Sequence, residues 1–323
     1  MREFEYTAPD STERALALAG DDTAFLAGGT MLVDLMKLGV TAPRRVVDIN
    51  ALPMRGIRAG ADGLRIGALE RMADVADHPL VRERYPMVSQ ALSASASQQI
   101  RTMASMGGNL LQRTRCGYFR DVSSPCNKRE PGSGCPAVTG ANRMHAVLGT
   151  SEHCVATHPS DVAVALVALD ASVRLRGRSG TRTVRLEDFY RLPGTTPHLE
   201  NVLRPGELIT EILVPPLPWA GRSTYLKIRD RQSYEFALSS AAVALDVRGN
   251  TVVDARVAVG GAGTRPWRLP AVEAELTGRP ADPTTYRNAA ARATEGMRPL
   301  TENRFKTVLV RRTVVRALSS LGG

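Results

Sequence analysis

The chain has 323 residues, 43% hydrophobic and 23% charged, an ordinary balance for a globular protein with about two domains and sizeable cores. No run of about 18 apolar residues free of charge occurs, which excludes a transmembrane helix. The net charge of +10 is spread along the chain without a long basic run, so protein contact is expected of it and nucleic-acid binding is not.

The opening stretch "MREFEYTAPDSTERALALAG" has acidic residues where a secretory signal is basic, and it lacks an apolar segment. No export signal is expected. The location implied is the cytoplasm, or the periplasm by co-export with a signal-bearing partner. "FEYTAP" predicts a strand and "DSTERALALAG" a helix capped by Asp10 or Ser11. "TAFLAGGT" predicts a strand ending in two glycines, "MLVDLMKLG" a helix stopped at Gly39, and "RRVVDI" another strand. "GLRIG" from Gly63 to Gly67 reads as a strand. Helical patterns follow in "ERMADVADHPLVRERY" and "MVSQALSASASQQIR", the second leading into "TMASMGGNLLQ".

Past a cysteine-bearing region, "CVATHPSDVAVALVALDASVRLRG" predicts loop, helix and strand. "TVRLEDFY" and "ELITEILVPP" predict strands, and "LPWAGRS" near 216–222 predicts a domain boundary. Strands "TYLKIRD" and "ALSSAAVALDVRGNTVVDARVAVGG" follow, with "GNT" as a hairpin turn. Helices in "LPAVEAELTG", "DPTTYRNAAARATE" and "NRFKTVLVRRTVVRALSSL" end the chain.

"AGGT" at 27–30 lies between a strand and a helix. Glycine there leaves the backbone open to a ligand, and free N–H groups at a helix start suit a pyrophosphate. The pattern is not G-x-G-x-x-G, so a Rossmann site is not supported. "SMGGN" at 105–109 repeats the chemistry, and the pair points to one shared phosphate ligand. In "THPSD" at 157–161, Ser160 and Asp161 precede an apolar helix and read equally well as its caps.

All four cysteines fall between Cys116 and Cys154, spaced C-x9-C-x8-C-x18-C. The region has no hydrophobic period, so it is expected to lack a core of its own and to need another support. Paired disulfides need an oxidising compartment. Structural zinc usually shows close C-x(2–4)-C knuckles, absent here. An iron–sulfur cluster takes four thiolates at more permissive spacing. Arg113, Arg115, Arg120, Lys128 and Arg129 are expected to offset thiolate charge and favour the deprotonated ligand.

"FLAGGTMLVDLMK", "ASMGGNLLQ", "ATHPSDVAVALVALDA" and "YLKIRDRQSYEFALSSAAVAL" resemble the FAD-binding medium subunits of the xanthine dehydrogenase/molybdenum hydroxylase family, in order along nearly the whole chain. "LLQRTRCGYF", "PCNKREPGSGC" and "HAVLGTSEHCVATHPSD" resemble more closely the FAD subunits of bacterial periplasmic aldehyde oxidases, and to a lesser degree those of 4-hydroxybenzoyl-CoA reductase. The resemblance implies an α+β chain. A two-subdomain FAD-binding fold of the vanillyl-alcohol-oxidase type would occupy 1–58 and 59–218, with an inserted loop over 112–156. A C-terminal α+β domain of the CO dehydrogenase flavoprotein type would occupy 219–323.

It further implies that Leu26, Ala27, Gly28, Gly29, Thr30, Met31 and Leu32 wrap the FAD diphosphate, and that Ala104, Ser105, Gly108, Asn109 and Leu111 continue the cradle. Ser160 and Asp161 would reach the ribityl or adenosine side, Leu208 and Ile209 a ring, and Lys227 the isoalloxazine. Cys116, Cys126, Cys135 and Cys154 would hold a 4Fe–4S cluster.

The function implied is that of an electron-transfer subunit. It would take electrons from a small 2Fe–2S subunit, supplied by a large molybdenum-cofactor subunit that oxidises an aldehyde, and pass them through FAD to an external acceptor. No acid–base pair for the substrate is expected here. The five histidines show no metal-ligand spacing, and His158 reads as a surface or hydrogen-bonded residue. The competing readings are the medium subunit of another molybdenum hydroxylase, a stand-alone flavin enzyme of the same fold, and a zinc-stabilised adaptor.

Overall fold

The computed structural model describes residues 1–322. The chain is α+β, with three sheets. The first joins β1 (Glu5–Thr7), β2 (Thr23–Leu26) and β3 (Arg45–Asp48) in parallel, in the order β1-β3-β2. Its small core contains Leu16, Val47, Ile49, Leu52 and Met54.

The second sheet contains β4 (Ile57–Gly60), β5 (Gly63–Gly67), β6 (Ser172–Gly177), β7 (Gly180–Arg185) and β8 (Leu208–Val214), in the order β4-β5-β8-β6-β7 with antiparallel neighbours throughout. The third is antiparallel, in the order β12-β11-β10-β9. It runs from β9 (Ser223–Ile228) through β10 (Ser239–Arg248) and β11 (Thr251–Gly260) to the short β12 (Trp267–Arg268).

Helix Asp161–Ala168, "DVAVALVA", has every residue buried. A helix apolar on all sides must be covered on all sides. The second sheet lies against it, and so does the third, through Ala242, Ala244 and Ala258. The alternate residues Ala241, Val243 and Leu245 face a second core with the C-terminal helices. The period of two along β10 therefore welds one layer to each side.

Local chemistry explains where expected elements changed. "ERMADVADHPLVRERY" forms two helices, Met72–Asp77 and Pro79–Arg84, because Pro79 fits a first helical turn but cannot continue one. The next pattern breaks between Pro86–Ala94 and Gln98–Met103, with Ala96 at φ 48°. In "TVRLEDFY" the strand ends at Arg185, and Leu186–Phe189 turns helical to bury Leu186 and Phe189. Strands β4 and β12 carried no sequence signal strong enough to place them. No helix among the described residues is long and apolar enough to cross a membrane.

Gly28 fixes the distance between the two glycine turns. A Cβ on it would lie 1.9 Å from the carbonyl oxygen of Met103. Asn50 braces the same contact by donating to the Ala27 carbonyl at 2.9 Å, and Arg71 reaches both Asn50 and the Met103 carbonyl. Gly28→Ala is expected to destabilise even the flavin-free chain, by ~1–3 kcal/mol for an overpacked contact. Gly60→Ala, with nothing within 4 Å of its Cβ, should stay within ~0.5 kcal/mol. Urea unfolding of the two variants measures the difference.

Candidate cofactor site

The first turn follows β2, with Gly29 at φ 72° in the left-handed region where glycine is preferred. The second opens the short helix Met106–Leu110, whose N-cap Ser105 accepts from the Gly108 N–H at 3.2 Å. Asn109, buried behind it, accepts from the Ser160 hydroxyl at 2.6 Å and donates to Met72 Sδ at 3.2 Å. Ser160 also caps helix Asp161–Ala168 by accepting from the Ala163 N–H at 3.1 Å. Ser160 thus caps a helix and joins the second turn to it.

Asp161 is the node of the site. Its carboxylate accepts from Ser95 Oγ at 3.0 Å, from Tyr225 Oη at 2.6 Å and from Lys227 Nζ at 2.8 Å. The Lys227 and Asp161 side chains are only 3% and 6% exposed. Burial beside this carboxylate pushes the Tyr225 phenol well above its ordinary range, so it remains a donor. Lys227→Met would leave a buried carboxylate short of its cation, at a cost of ~3–5 kcal/mol. Adding Asp161→Asn should recover part of the loss, and denaturant unfolding of the single and double variants checks the coupling.

Two adjoining cavities open at this node. The smaller, of about 230 Å³, is lined by Thr30, Met31, Ala104, Gly108 and Asn109 among others. The larger, of about 660 Å³, is lined by Cys116, His145, His158 and Ser160 among others. Arg115, Pro159, Asp161, Glu235 and Phe236 belong to both walls. Arg115 was noted in the sequence only as a charge near the cysteines. It stands over the Phe236 ring at 5.1 Å and pairs with Asp34 at 3.1 Å.

Of the first turn only Thr30 and Met31 line a cavity; Leu26, Ala27, Gly28, Gly29 and Leu32 line neither, and nor does Ser105. Lys227 lines neither cavity and reaches them through Asp161. Leu208 is buried in the core of the first sheet and Ile209 in the main core, and neither lines the two cavities. Leu111 lines a separate small cavity with Lys128, Cys154 and Glu200.

Cys116, Cys126, Cys135 and Cys154 are free thiols lining one small cavity. Burial raises Cys116 to about 11 against the pull of the Phe119 and Tyr118 N–H groups. It raises Cys135 and Cys154 as well. This corrects the expectation that surrounding bases favour thiolate. Arg115 and Arg120 are spent on Asp34, Arg113 and Lys128 on Glu200, and Arg129 on the carbonyls of Tyr118, Phe119 and Ser124. Lys128 lowers Cys154, and burial outweighs it.

The insert is also not coreless. Phe119 and Cys126 pack with Leu35 of helix Leu32–Lys37, and Val147 and Leu148 join the C-terminal core. Lys306, fully buried, donates to the carbonyls of Met144 at 3.1 Å and Gly261 at 2.6 Å, which ties the insert to the third sheet. Burial lowers Lys306 to about 7.

His158 is half-buried and is hydrogen-bonded, as expected, but through one ring nitrogen only. Its ring meets Tyr190 edge-on at 4.5 Å, Nδ1 accepts from the Ser160 N–H at 3.4 Å, and Nε2 is buried without a partner. Burial lowers it to about 3. The unfolded chain takes up this proton near pH ~6.5 while the native chain refuses it. Stability is therefore full above ~6.5 and is lost as pH falls toward 3. The urea midpoint of the flavin-free chain should drop from pH 7 to 4, and His158→Phe should flatten part of that drop.

These features define a chain with a glycine turn and two adjoining cavities beside a cluster of thiols. A family profile described as "FAD binding domain in molybdopterin dehydrogenase" matches residues 2–217, and one described as "CO dehydrogenase flavoprotein C-terminal domain" matches 224–321. The chain belongs to this family, as the FAD-binding subunit of an oxidoreductase. It is 48% identical to the aldehyde oxidoreductase FAD-binding subunit PaoB of Escherichia coli K12, over 99% of this chain and 98% of that one. It is 28% identical to the glyceraldehyde dehydrogenase medium chain of Sulfolobus acidocaldarius, over 98% and 96%. Its fold matches a chain of the carbon monoxide dehydrogenase of Hydrogenophaga pseudoflava with a TM-score of 0.76 at 26% identity, covering 99% and 97%.

Proposed function

We propose that this chain is the FAD- and 4Fe–4S-binding medium subunit of a heterotrimeric molybdenum-dependent aldehyde oxidoreductase. A small 2Fe–2S subunit and a large molybdenum-cofactor subunit complete the assembly. The observation that carries the reading is the gathering of four thiols around one cavity whose Cys116 wall also lines the larger cavity beside the glycine turns. The name of the 48%-identical relative supports the aldehyde as substrate class.

The residues fit FAD. The N–H groups that follow Gly28 suit a phosphate, whereas those of Met106, Gly107, Gly108 and Asn109 are already taken by Glu70, Ala68 and Ser105, so the second turn contributes wall and not donors. The approach of the Met103 carbonyl to Gly28 holds the two turns together. Asp161, with Arg115 and Phe236, shapes the wall beyond them. Bound there, FAD supplies the step between one-electron donors and a two-electron acceptor. The chain's own part is to bind, to orient and to keep water from the ring.

Four thiols ringed around one small cavity supply the number and type of ligands that a 4Fe–4S cluster takes. Backbone N–H groups of Tyr118, Phe119, Val155, Ala137, Val138 and Ala156 lower the thiols against the effect of burial, a polarity that also suits iron–sulfur ligation. Because burial raises the thiols, assembly must release protons and should become more favourable with rising pH.

Anaerobically purified complex should contain one acid-releasable FAD and four iron atoms per chain of this type. Cys126→Ser or Cys135→Ser should lose iron while keeping most of the flavin. Zinc in place of iron, or flavin that stays with the acid-precipitated chain, would contradict the proposal.

A further inference from the structure

Resting on the cluster reading above, we infer that His145 is a positioning residue for the thiol cavity, donating a hydrogen bond from Nε2 to the sulfur of Cys116 on the side that faces the larger cavity. Of the four cysteines, only Cys116 lines both the thiol cavity and that larger cavity. His145 lines the larger cavity beside it. The Nε2 to Sγ distance is 3.2 Å, and His145 is only 7% exposed.

The tautomer follows from the other nitrogen. Nδ1 makes no hydrogen bond of normal geometry, and the nearby Asn142 carbonyl, which accepts the His145 peptide N–H at 3.0 Å, is only a weak second acceptor for it. Once Cys116 has lost its proton to a metal its sulfur can only accept, so a proton on Nε2 gains the stronger partner. The backbone that carries the ring is fixed in place. Asn303 donates to the His145 and Ala146 carbonyls at 3.2 and 3.3 Å, and Lys306 holds the neighbouring Met144 carbonyl.

A donor aimed at a ligand sulfur stabilises the more negative state of a metal centre, so it raises the reduction potential. His145 would set that potential at the wall nearest the flavin. Cys126 and Cys135, which line only the thiol cavity, lack a side-chain donor of this kind.

The test is an EPR-monitored redox titration of the intact complex. His145→Leu should retain iron and flavin and disfavour cluster reduction about tenfold, a fall of ~59 mV for a one-electron couple. His145→Gln, whose amide N–H reaches as far as Nε2, should restore most of it. An unchanged potential in iron-replete His145→Leu overturns the inference.

Pulsed EPR of the unmodified reduced complex, grown on ¹⁵N-histidine, gives a readout that needs no folded variant. One coupled imidazole nitrogen is expected, and it should persist in His153→Leu, which replaces the exposed histidine at the same cavity. Absence of that coupling overturns the inference. Absence of iron from the unmodified complex would instead remove the cluster reading on which it rests.

Discussion

The buried ion pair between Asp161 and Lys227 is the constraint on which the site depends. A carboxylate taken out of water must find its cation and its hydrogen bonds, or the fold loses several kcal/mol. Asp161 finds them on two different units: Ser95 from the break between two helices, and Tyr225 with Lys227 from β9 of the third sheet. The helix that Asp161 begins is therefore locked to the C-terminal domain at one place. The chain leaving β9 then delivers Glu235 and Phe236 to the wall that both cavities share. The apolar helix behind it is buried on every side and meets the third sheet through Ala242, Ala244 and Ala258.

The inserted segment follows a different logic. It contributes little regular structure of its own, yet side chains of the surrounding elements anchor it. Asp34 takes two arginines, Glu200 takes an arginine and a lysine, and the Asn127 side chain spans from the Gly132 and Gly134 N–H groups to the His153 carbonyl. Phe119 is sealed beneath. The four thiols are thus held on a frame of the protein's own contacts, in which the basic residues serve as struts more than as counter-charges.

Much of this was legible in the sequence where the signal was local. The glycine turns, the capping Ser160, the β10–β11 hairpin and the long C-terminal helix each carry their pattern within a few residues. What was not legible depends on distant partners. The reason Gly28 cannot carry a side chain is the Met103 carbonyl, remote in sequence. The place of Lys227 depends on Asp161, and the support of the insert depends on Asp34, Leu35 and Glu200, which belong to other elements. His158 and Lys306 looked ordinary because burial, which changes their chemistry, has no short-range signature.

The most direct measurement is anomalous diffraction at the iron edge from crystals of the flavin-loaded complex. A polynuclear iron peak should lie within the cavity ringed by Cys116, Cys126, Cys135 and Cys154, with flavin density against the wall that contains Asp161 and Arg115. A single-ion peak of another metal there, or a flavin seated away from that wall, would contradict it.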